Sequence, residues 1–479
     1  MSEEAIAPAI DFGVTDDRRM PASTTYSLTL ADHVAIVGGG FSGTLMAVNL
    51  LRYGDTRVTL IERGDSFARG AAYSTKEPRH LLNVRAGNMS ALADQPDHFV
   101  DWLRRHDCDA VHGFASRRDY GRYLGALLSE TITNSRGRLQ LRKANVEALA
   151  WGEGHAQLTL AGGDRVRADM AVLAAGNLPP HDLVGLASAG LAPGVYCSNP
   201  WSGDLGVGLI EQDTVLVIGT GLTMIDVAVS LDAAGFRGKI VALSRRGLVP
   251  RPHALEPAPY EPLREKPPQT GSALVRRVRL DAERIGWRGA VDALRPFSQP
   301  LWLGASDQER SRFLRHMRTW WDVHRHRLAP QIAARLEALR ADGRLTILSG
   351  KIGEVRPCAG GAEVIFRPRS GEGGQAIAAR RIVNCTGPQS DLRRSSDPLL
   401  RQLFESGQIR ADANTLGIDV NVKSEVVGAD GRANPRLLAL GPLTRGTFWE
   451  INAVPDIRVQ AWSLARRLSA AHWVEGEGL

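Results

Sequence analysis

Two stretches of the chain run through the same order of apolar and polar positions. His33-Val-Ala-Ile-Val37 is a short apolar run of the kind shown by a strand buried on both faces. Glycines follow at once, Thr44 to Arg52 reads as a helix, and Arg57-Val-Thr-Leu-Ile61 is a second apolar run ending at Glu62. About 180 residues later the order recurs. Thr214-Val-Leu-Val-Ile218 leads into glycines, a helical segment from Met224 to Ala234, and Lys239-Ile-Val-Ala-Leu-Ser244 followed by Arg245-Arg246. A strand–helix–strand unit thus occurs twice, which is duplication of one supersecondary unit and not a short-period array. Met170-Ala-Val-Leu-Ala-Ala-Gly176 and Arg381-Ile-Val-Asn-Cys-Thr-Gly387 are further apolar runs closing on a small residue and glycine, one for each expected sheet. The texture changes between about 255 and 345, where a proline-rich stretch leads into Arg- and Trp-containing helical sequence. The last predicted element is an amphipathic helix over Ile457 to Ala471.

The glycines carry the first chemical signal. Gly38-Gly-Gly40-Phe41-Ser42-Gly43 fits GxGxxG between a strand and a helix. The first glycine permits the tight turn, the second lets a pyrophosphate approach the backbone, and the third lets the helix pack on the strand. Free N–H groups at the helix N-terminus then face the phosphates. Glu62, followed by Arg63, stands where an acid accepts both hydroxyls of an adenosine ribose. Gly219-Thr-Gly221-Leu222-Thr223-Met224 keeps two glycines and loses the third. Its second strand ends in Ser244-Arg245-Arg246 instead of an acid, and guanidinium groups pair with a 2′-phosphate that a carboxylate would repel.

The predicted fold is therefore α/β, with two Rossmann-like dinucleotide-binding domains. The first is expected to hold FAD, because it lies early in the chain and Arg436-Leu-Leu-Ala-Leu-Gly441-Pro442 reads as its late-returning strand. The second is expected to hold NADPH. The expected boundaries are a disordered tail over 1–30, the FAD domain over 31–205 and 381–479, and the NADPH domain over 206–380 with a helical insertion at about 255–345. Gly176 and Gly387, at the ends of the returning strands, join the expected cofactor contacts. Pro442 stands where many flavoproteins have an Asp on the ribityl chain, which leaves that contact to backbone.

Composition narrows the classes. The chain has 479 residues, 43% of them hydrophobic, enough for two or three domains with their own cores. The formal net charge of +7 is spread over scattered Arg with no interleaved aromatic face, so no nucleic-acid partner is expected, while a mild positive field favours anionic ligands. Four well-separated cysteines, Cys108, Cys197, Cys358 and Cys385, give no CxxC, zinc pattern or disulfide framework. The first ~30 residues lack a signal-peptide pattern, and no apolar run approaches the ~18 residues of a membrane span. A cytoplasmic protein is expected, with no membrane partner.

The chain resembles a bacterial family of FAD/NAD(P)-binding proteins over about residues 33–470. The resemblance rests on Gly70-Ala-Ala-Tyr-Ser74 with His80-Leu-Leu-Asn-Val84 and Gly87-Asn-Met-Ser90, on Gly219 to Asp226 running to Ser244 to Pro250, on Trp321 to Pro330, and on Gly441 to Glu450 through Pro455 to Arg458. FAD-dependent urate hydroxylases share the architecture, and class-B flavin monooxygenases share it more distantly. The Gly194 to Trp201 linker lacks the His of the Baeyer–Villiger signature, which disfavours that reaction. From the resemblance, Asn83, Met89, Ser90, Arg445, Trp449 and Glu450 are candidates near the flavin. Asn83 would donate to flavin carbonyls, Trp449 would stack or exclude solvent, and Glu450 would carry a proton if burial raises its pKa. The competing expectation makes Trp449 core and pairs Glu450 with Arg445 or Arg458. His324 and His326, two apart on a helix, point different ways and predict no metal site. The insertion is expected to cap the site.

The expected activity is an NADPH-dependent oxidoreductase. The favoured form is a monooxygenase that hydroxylates a small metabolite with O₂ through a flavin hydroperoxide. The alternatives are a reductase or oxidase without oxygen insertion, and a non-catalytic flavin-binding redox sensor.

Overall fold

A computed structural model describes residues 31–469 apart from 109–112, 184, 187–188, 257–261 and 372; the expected tail at 1–30 lies outside the described residues. In chain order the strands are β1 (His33–Val37), β2 (Arg57–Glu62), β3 (Leu139–Lys143), β4 (Val146–Trp151), β5 (Ala156–Leu160), β6 (Arg165–Ala168), β7 (Met170–Leu173), β8 (Tyr196–Cys197), β9 (Thr214–Ile218), β10 (Lys239–Ser244), β11 (Leu345–Cys358), β12 (Gly361–Pro368), β13 (Gln375–Ala379), β14 (Arg381–Asn384), β15 (Glu425–Val427) and β16 (Ala433–Ala439).

The first sheet has the order β15-β16-β7-β1-β2-β3. β1 runs parallel to both β2 and β7, and β16 returns parallel to β7, with Leu437 opposite Ala171. Apolar side chains on both faces explain the unbroken hydrophobic runs. Val34 and Ile36 face one core with the helix Phe41–Tyr53, and Ala35 and Ile61 face the other. The terminal helix Val454–Leu468 packs on Phe41–Tyr53. It starts three residues before the position read from its amphipathic pattern, because Pro455 fits the first turn of a helix.

The second sheet has the order β13-β12-β11-β10-β9-β14-β8. Strands β8 to β11 and β14 are parallel, and β11, β12 and β13 form an antiparallel meander at one edge. The expected boundary at 380 needs correction here. β14 begins at Arg381 yet pairs with β9, Ile382 opposite Leu216, so the second unit continues past that point. The boundary at 205 shifts as well, because Tyr196 and Cys197 already pair with β14. Ile382 and Val383 are fully buried, and burial on both faces requires pairing inside this sheet. A small antiparallel sheet, β4-β5-β6, covers the first unit.

The insertion is helical as expected. It comprises Gly271–Leu294, bent at Gly286 (φ 75°), then Ser298–Leu303, Asp307–His316 and Arg318–Arg325. Ser306 opens the third of these through a reciprocal capping box with Glu309. The following helix, Pro330–Ala341, packs on Leu222–Ala233 and β11, so it belongs to the second sheet and the insertion ends sooner than 345.

Candidate functional site

The two glycine turns are built alike. Gly38 sits at φ 105°, and a Cβ there would meet the Ala174 carbonyl oxygen at 2.4 Å. Gly219 sits at φ 114°, and a Cβ there would meet the Cys385 carbonyl oxygen at 2.2 Å. Each turn ends its strand, opens a helix, and lies against the end of the returning strand, β7 or β14. Each also stands where strand order reverses, since β1 and β9 are flanked by consecutive strands on one side and a returning strand on the other. Ligands in open parallel sheets bind outside the carboxyl ends at such points.

Around the first turn, Gly43 allows no side chain, because a Cβ would lie 1.9 Å from the Gly38 carbonyl oxygen. Gly40 opens the helix without any side-chain cap, which leaves its first N–H groups for a ligand. The Glu62 carboxylate accepts from Gly39 N and Gly64 N, both at 2.7 Å, and is fixed at the end of β2. A cleft beside it is lined by Gly38, Glu62, Arg63, Val146, Ala175 and Asp397. Arg63 is held there by Asp397 at 2.9 Å. The late-returning strand closes the same turn. A Cβ on Gly441 would lie 2.4 Å from Ser42 Oγ, so Phe41, Ser42, Gly441 and Pro442 come together. An uncapped helix start, an acid at the strand end and an adjoining cleft fit a dinucleotide with a ribose 2′-hydroxyl.

The second turn keeps the uncapped start at Gly221, with open space around that glycine. Leu222 and Thr223 are half-buried at the mouth. Met224 replaces the third glycine and is fully buried in the core behind. Ser244 Oγ stands 2.9 Å from Thr220 Oγ1 and accepts from Gly247 N, shaping the loop that presents Arg245 and Arg246. Neither arginine forms an ion pair among the described residues, so both remain available to an anion. Gly176 and Gly387, at φ 70° and 95°, have nothing within 4 Å of an added Cβ and face open space near the two turns.

The units are locked together by contacts no sequence pattern announced. Arg117 pairs with Asp226 at 2.8 Å, and His80 Nε2 lies 2.9 Å from Ser230 Oγ. His253 Nε2 lies 3.0 Å from the Asn83 carbonyl oxygen, which anchors Asn83 between the units. Burial lowers the His253 pKa, as do Arg327 and Arg85 nearby, so the ring stays neutral and donates to that carbonyl.

The insertion docks on the segment 446–456. Gln299 Nε2 donates to the Thr447 carbonyl at 2.9 Å, and Gln299 Oε1 accepts from Trp449 N at 2.9 Å. Trp302 Nε1 donates to the Gly446 carbonyl at 2.8 Å. Trp449 is buried and stacks on Trp302 with centroids 4.5 Å apart, making it a wall and core residue. Glu450 is buried and committed to the insertion. One oxygen accepts from Trp321 Nε1 at 3.0 Å and the other from Arg325 Nε at 3.1 Å. Its partner is thus Arg325 and neither of the two arginines expected from sequence. Arg445 instead lies over the Trp449 ring at 4.7 Å. Arg458 donates to the Ser90 carbonyl at 2.9 Å.

Met89 is buried in the first core, and the Ser90 hydroxyl donates to the Leu92 and Gln95 carbonyls, so neither side chain is presented to a ligand. His324 turns toward Trp287 and His326 toward Asp322. Among the described residues no group of three or more His, Cys, Asp or Glu is placed to hold a metal ion, and no helix is long and apolar enough to cross a membrane.

Residues 35–178 match the family model described as FAD-NAD(P)-binding, so the amino-terminal unit is a domain of that kind. An uncharacterized protein of Mycobacterium tuberculosis is 31% identical over 144 residues, 28% of this chain and 26% of that protein. An L-aspartate N-monooxygenase (nitrosuccinate-forming) of Streptomyces cremeus is 33% identical over 112 residues, 21% of this chain and 17% of that enzyme. The chain spans about a quarter or less of the length of these curated relatives. Among solved structures, an ornithine N-hydroxylase of Kutzneria sp. 744, described with reduced FAD, NADP⁺ and L-ornithine, superposes with a TM-score of 0.63 at 14% identity, covering 92% of this chain and 99% of that one. A thioredoxin reductase of T. acidophilum superposes with a TM-score of 0.52 at 12% identity, covering 92% and 99%. The shared architecture is that of a flavoprotein with two dinucleotide units.

Proposed function

We propose that this chain is an NADPH-dependent flavin monooxygenase that oxygenates a small metabolite, with nitrogen as the favoured target atom. The observation that carries the reading is the pair of matching glycine turns at two switch points. An acid stands at the first and two unpaired arginines at the second. The identity with an aspartate N-monooxygenase and the likeness to an ornithine N-hydroxylase support the nitrogen preference. The reductase likeness shows that the fold alone does not choose the reaction.

In this reading FAD lies on the helix start after Gly40, with Glu62 turning from its backbone donors to the adenosine ribose. NADPH lies on the helix start after Gly221, and Arg245 and Arg246 pair with its 2′-phosphate. When bound, the flavin supplies hydride acceptance and oxygen activation. Asn83, fixed through His253, orients the ring from the junction of the units. The stacked Trp302 and Trp449, held by Gln299, wall the site from water. A dithiol route lacks support: the chain has no CxxC, and burial pushes the Cys385 thiol far above its ordinary value.

The test is turnover with NADPH and ¹⁸O₂ against a panel of small amines and amino acids. The reading expects substrate-stimulated NADPH consumption with label in the product. Peroxide as the sole product would replace it with an oxidase.

A further inference from the structure

Arg445 stands in a buried charge cluster in which arginines outnumber acids. Glu450 is taken by Arg325 at 3.1 Å, Asp456 by Arg295 at 3.3 Å, and Asp322 lies against Arg318 at 3.5 Å. Each acid of the cluster thus has its own arginine. Two further arginines belong to the cluster: Arg458, beside Asp456 and Arg295, donates to the Ser90 carbonyl, whereas Arg445 has neither an ion pair nor a side-chain hydrogen bond among the described residues, and its Nε is enclosed without a partner. His326, 4.0 Å from Asp322, adds no further positive charge, because burial lowers its pKa and favours the neutral ring. Burial and the nearby Arg318 bring the Arg445 pKa down to about 10, against the opposing pull of Asp322 and Glu450. The side chain nevertheless stays partly exposed, above the Trp449 face and below the insertion.

The insertion adds a field. Between residues 271 and 327 it carries twelve arginines against six acids, a surplus of +6 in a chain whose formal net charge is +7. Charge concentrated over a cleft raises the local concentration of oppositely charged small molecules.

We propose that Arg445 is the receptor for a carboxylate on the substrate, making it a specificity-determining residue of the site. The proposal rests on the monooxygenase reading and names its substrate class: a small carboxylic acid that bears the group to be oxygenated. A guanidinium matches a carboxylate through two parallel N–H···O bonds. Glu450 and Asp322 lie close enough to act on Arg445 and disfavour a phosphate dianion there more than a singly charged carboxylate. The Trp449 ring lies against the anchor and suits the carbon skeleton.

The test uses flavin-loaded protein without NADPH, titrated with pentanoate, pentanamide, pentylamine and inorganic phosphate, and followed by fluorescence of the tryptophans beside Arg445. Pentanoate is expected to bind saturably and to weaken with salt. Loss of a charge-assisted pair makes pentanamide weaker by roughly tenfold or more. Arg445→Gln should weaken pentanoate by a similar factor, and Arg445→Lys should restore part of it. Equal affinity for pentanamide, tighter binding of phosphate, or undiminished binding by Arg445→Gln would each overturn the proposal. If Arg445→Gln does not fold, the four probes on the wild-type protein decide. Carboxylate binding without any NADPH turnover counts against the monooxygenase reading alone. Turnover stimulated by pentylamine and not by amino acids counts against the carboxylate anchor alone.

Discussion

Replacing Glu450 by Gln separates two roles for a buried carboxylate. Its side chain is 5% exposed and that of Arg325 is 12% exposed, so solvent screens the pair little. Glutamine keeps the shape and still accepts from Trp321, but it removes the charge and strands Arg325 beside Arg295. Removing one partner of a buried ion pair costs about 3 kcal/mol. Glu450→Gln should therefore destabilise the flavin-loaded protein by about 3 kcal/mol in urea unfolding. Arg325→Met should be similarly harmful alone. Since either change breaks the same pair, the double variant should recover roughly 2 kcal/mol relative to the sum of the singles. Turnover per folded molecule should fall modestly, through loosening of the insertion over 446–456. A stability loss below about 1 kcal/mol together with collapse of turnover would refute this reasoning and restore Glu450 to the proton-carrying role suggested by sequence.

Gly43→Ala forces a Cβ to within 1.9 Å of the Gly38 carbonyl oxygen, so the purified variant should lack flavin absorbance. Gly219→Ala meets the Cys385 carbonyl at 2.2 Å, and that variant should keep its flavin while losing reduction by NADPH; loss of both ligands together in either variant would contradict the assignment of separate cradles. Changing Arg245 and Arg246 to Glu should raise the KM for NADPH by roughly tenfold or more and leave NADH little affected; steady-state kinetics with both nucleotides checks this, and an equal effect on the two would refute the 2′-phosphate contact. Burial lowers the folded-state pKa of His253, so its neutral form stabilises the fold above the unfolded imidazole value of about 6.5, and that contribution is lost as pH falls through the folded value. His253→Gln should flatten the decline of stability between about pH 7 and pH 5, and an unchanged slope in urea titrations would remove His253 from that role.

Much of the fold was legible because its strands are buried on both faces and therefore appear as uninterrupted apolar runs. β1, β2, β7, β9, β10, β14 and β16 all announced themselves in this way, and the glycines between strand and helix located the cradles. The antiparallel strands did not. β4 to β6 and β11 to β13 mix buried positions with exposed or half-exposed ones, so their alternation blends into loop sequence. Arg381–Asn384 was readable as the returning strand of the second sheet, but a boundary drawn at 380 separated it from β9, with which it pairs. In the candidate site, Gly38, Gly43, Glu62 and Gly441 were readable since each answers a local backbone demand. The partner of Glu450 was not. Arg325 lies 125 residues away, and docking of the insertion brings it there in preference to the nearer Arg445 and Arg458. The same docking leaves Arg445 unpaired, which no spacing rule predicts.

In the proposed function, two phosphate cradles on two parallel sheets hold FAD and NADPH so that one reduces the other. Anaerobic mixing of the purified, flavin-loaded protein with NADPH tests it most directly. A yellow protein with one flavin per chain is expected, bleached by NADPH in the wild type and unbleached in Gly219→Ala. A protein that cannot be loaded with flavin, or a bound flavin that NADPH leaves oxidised, would contradict it.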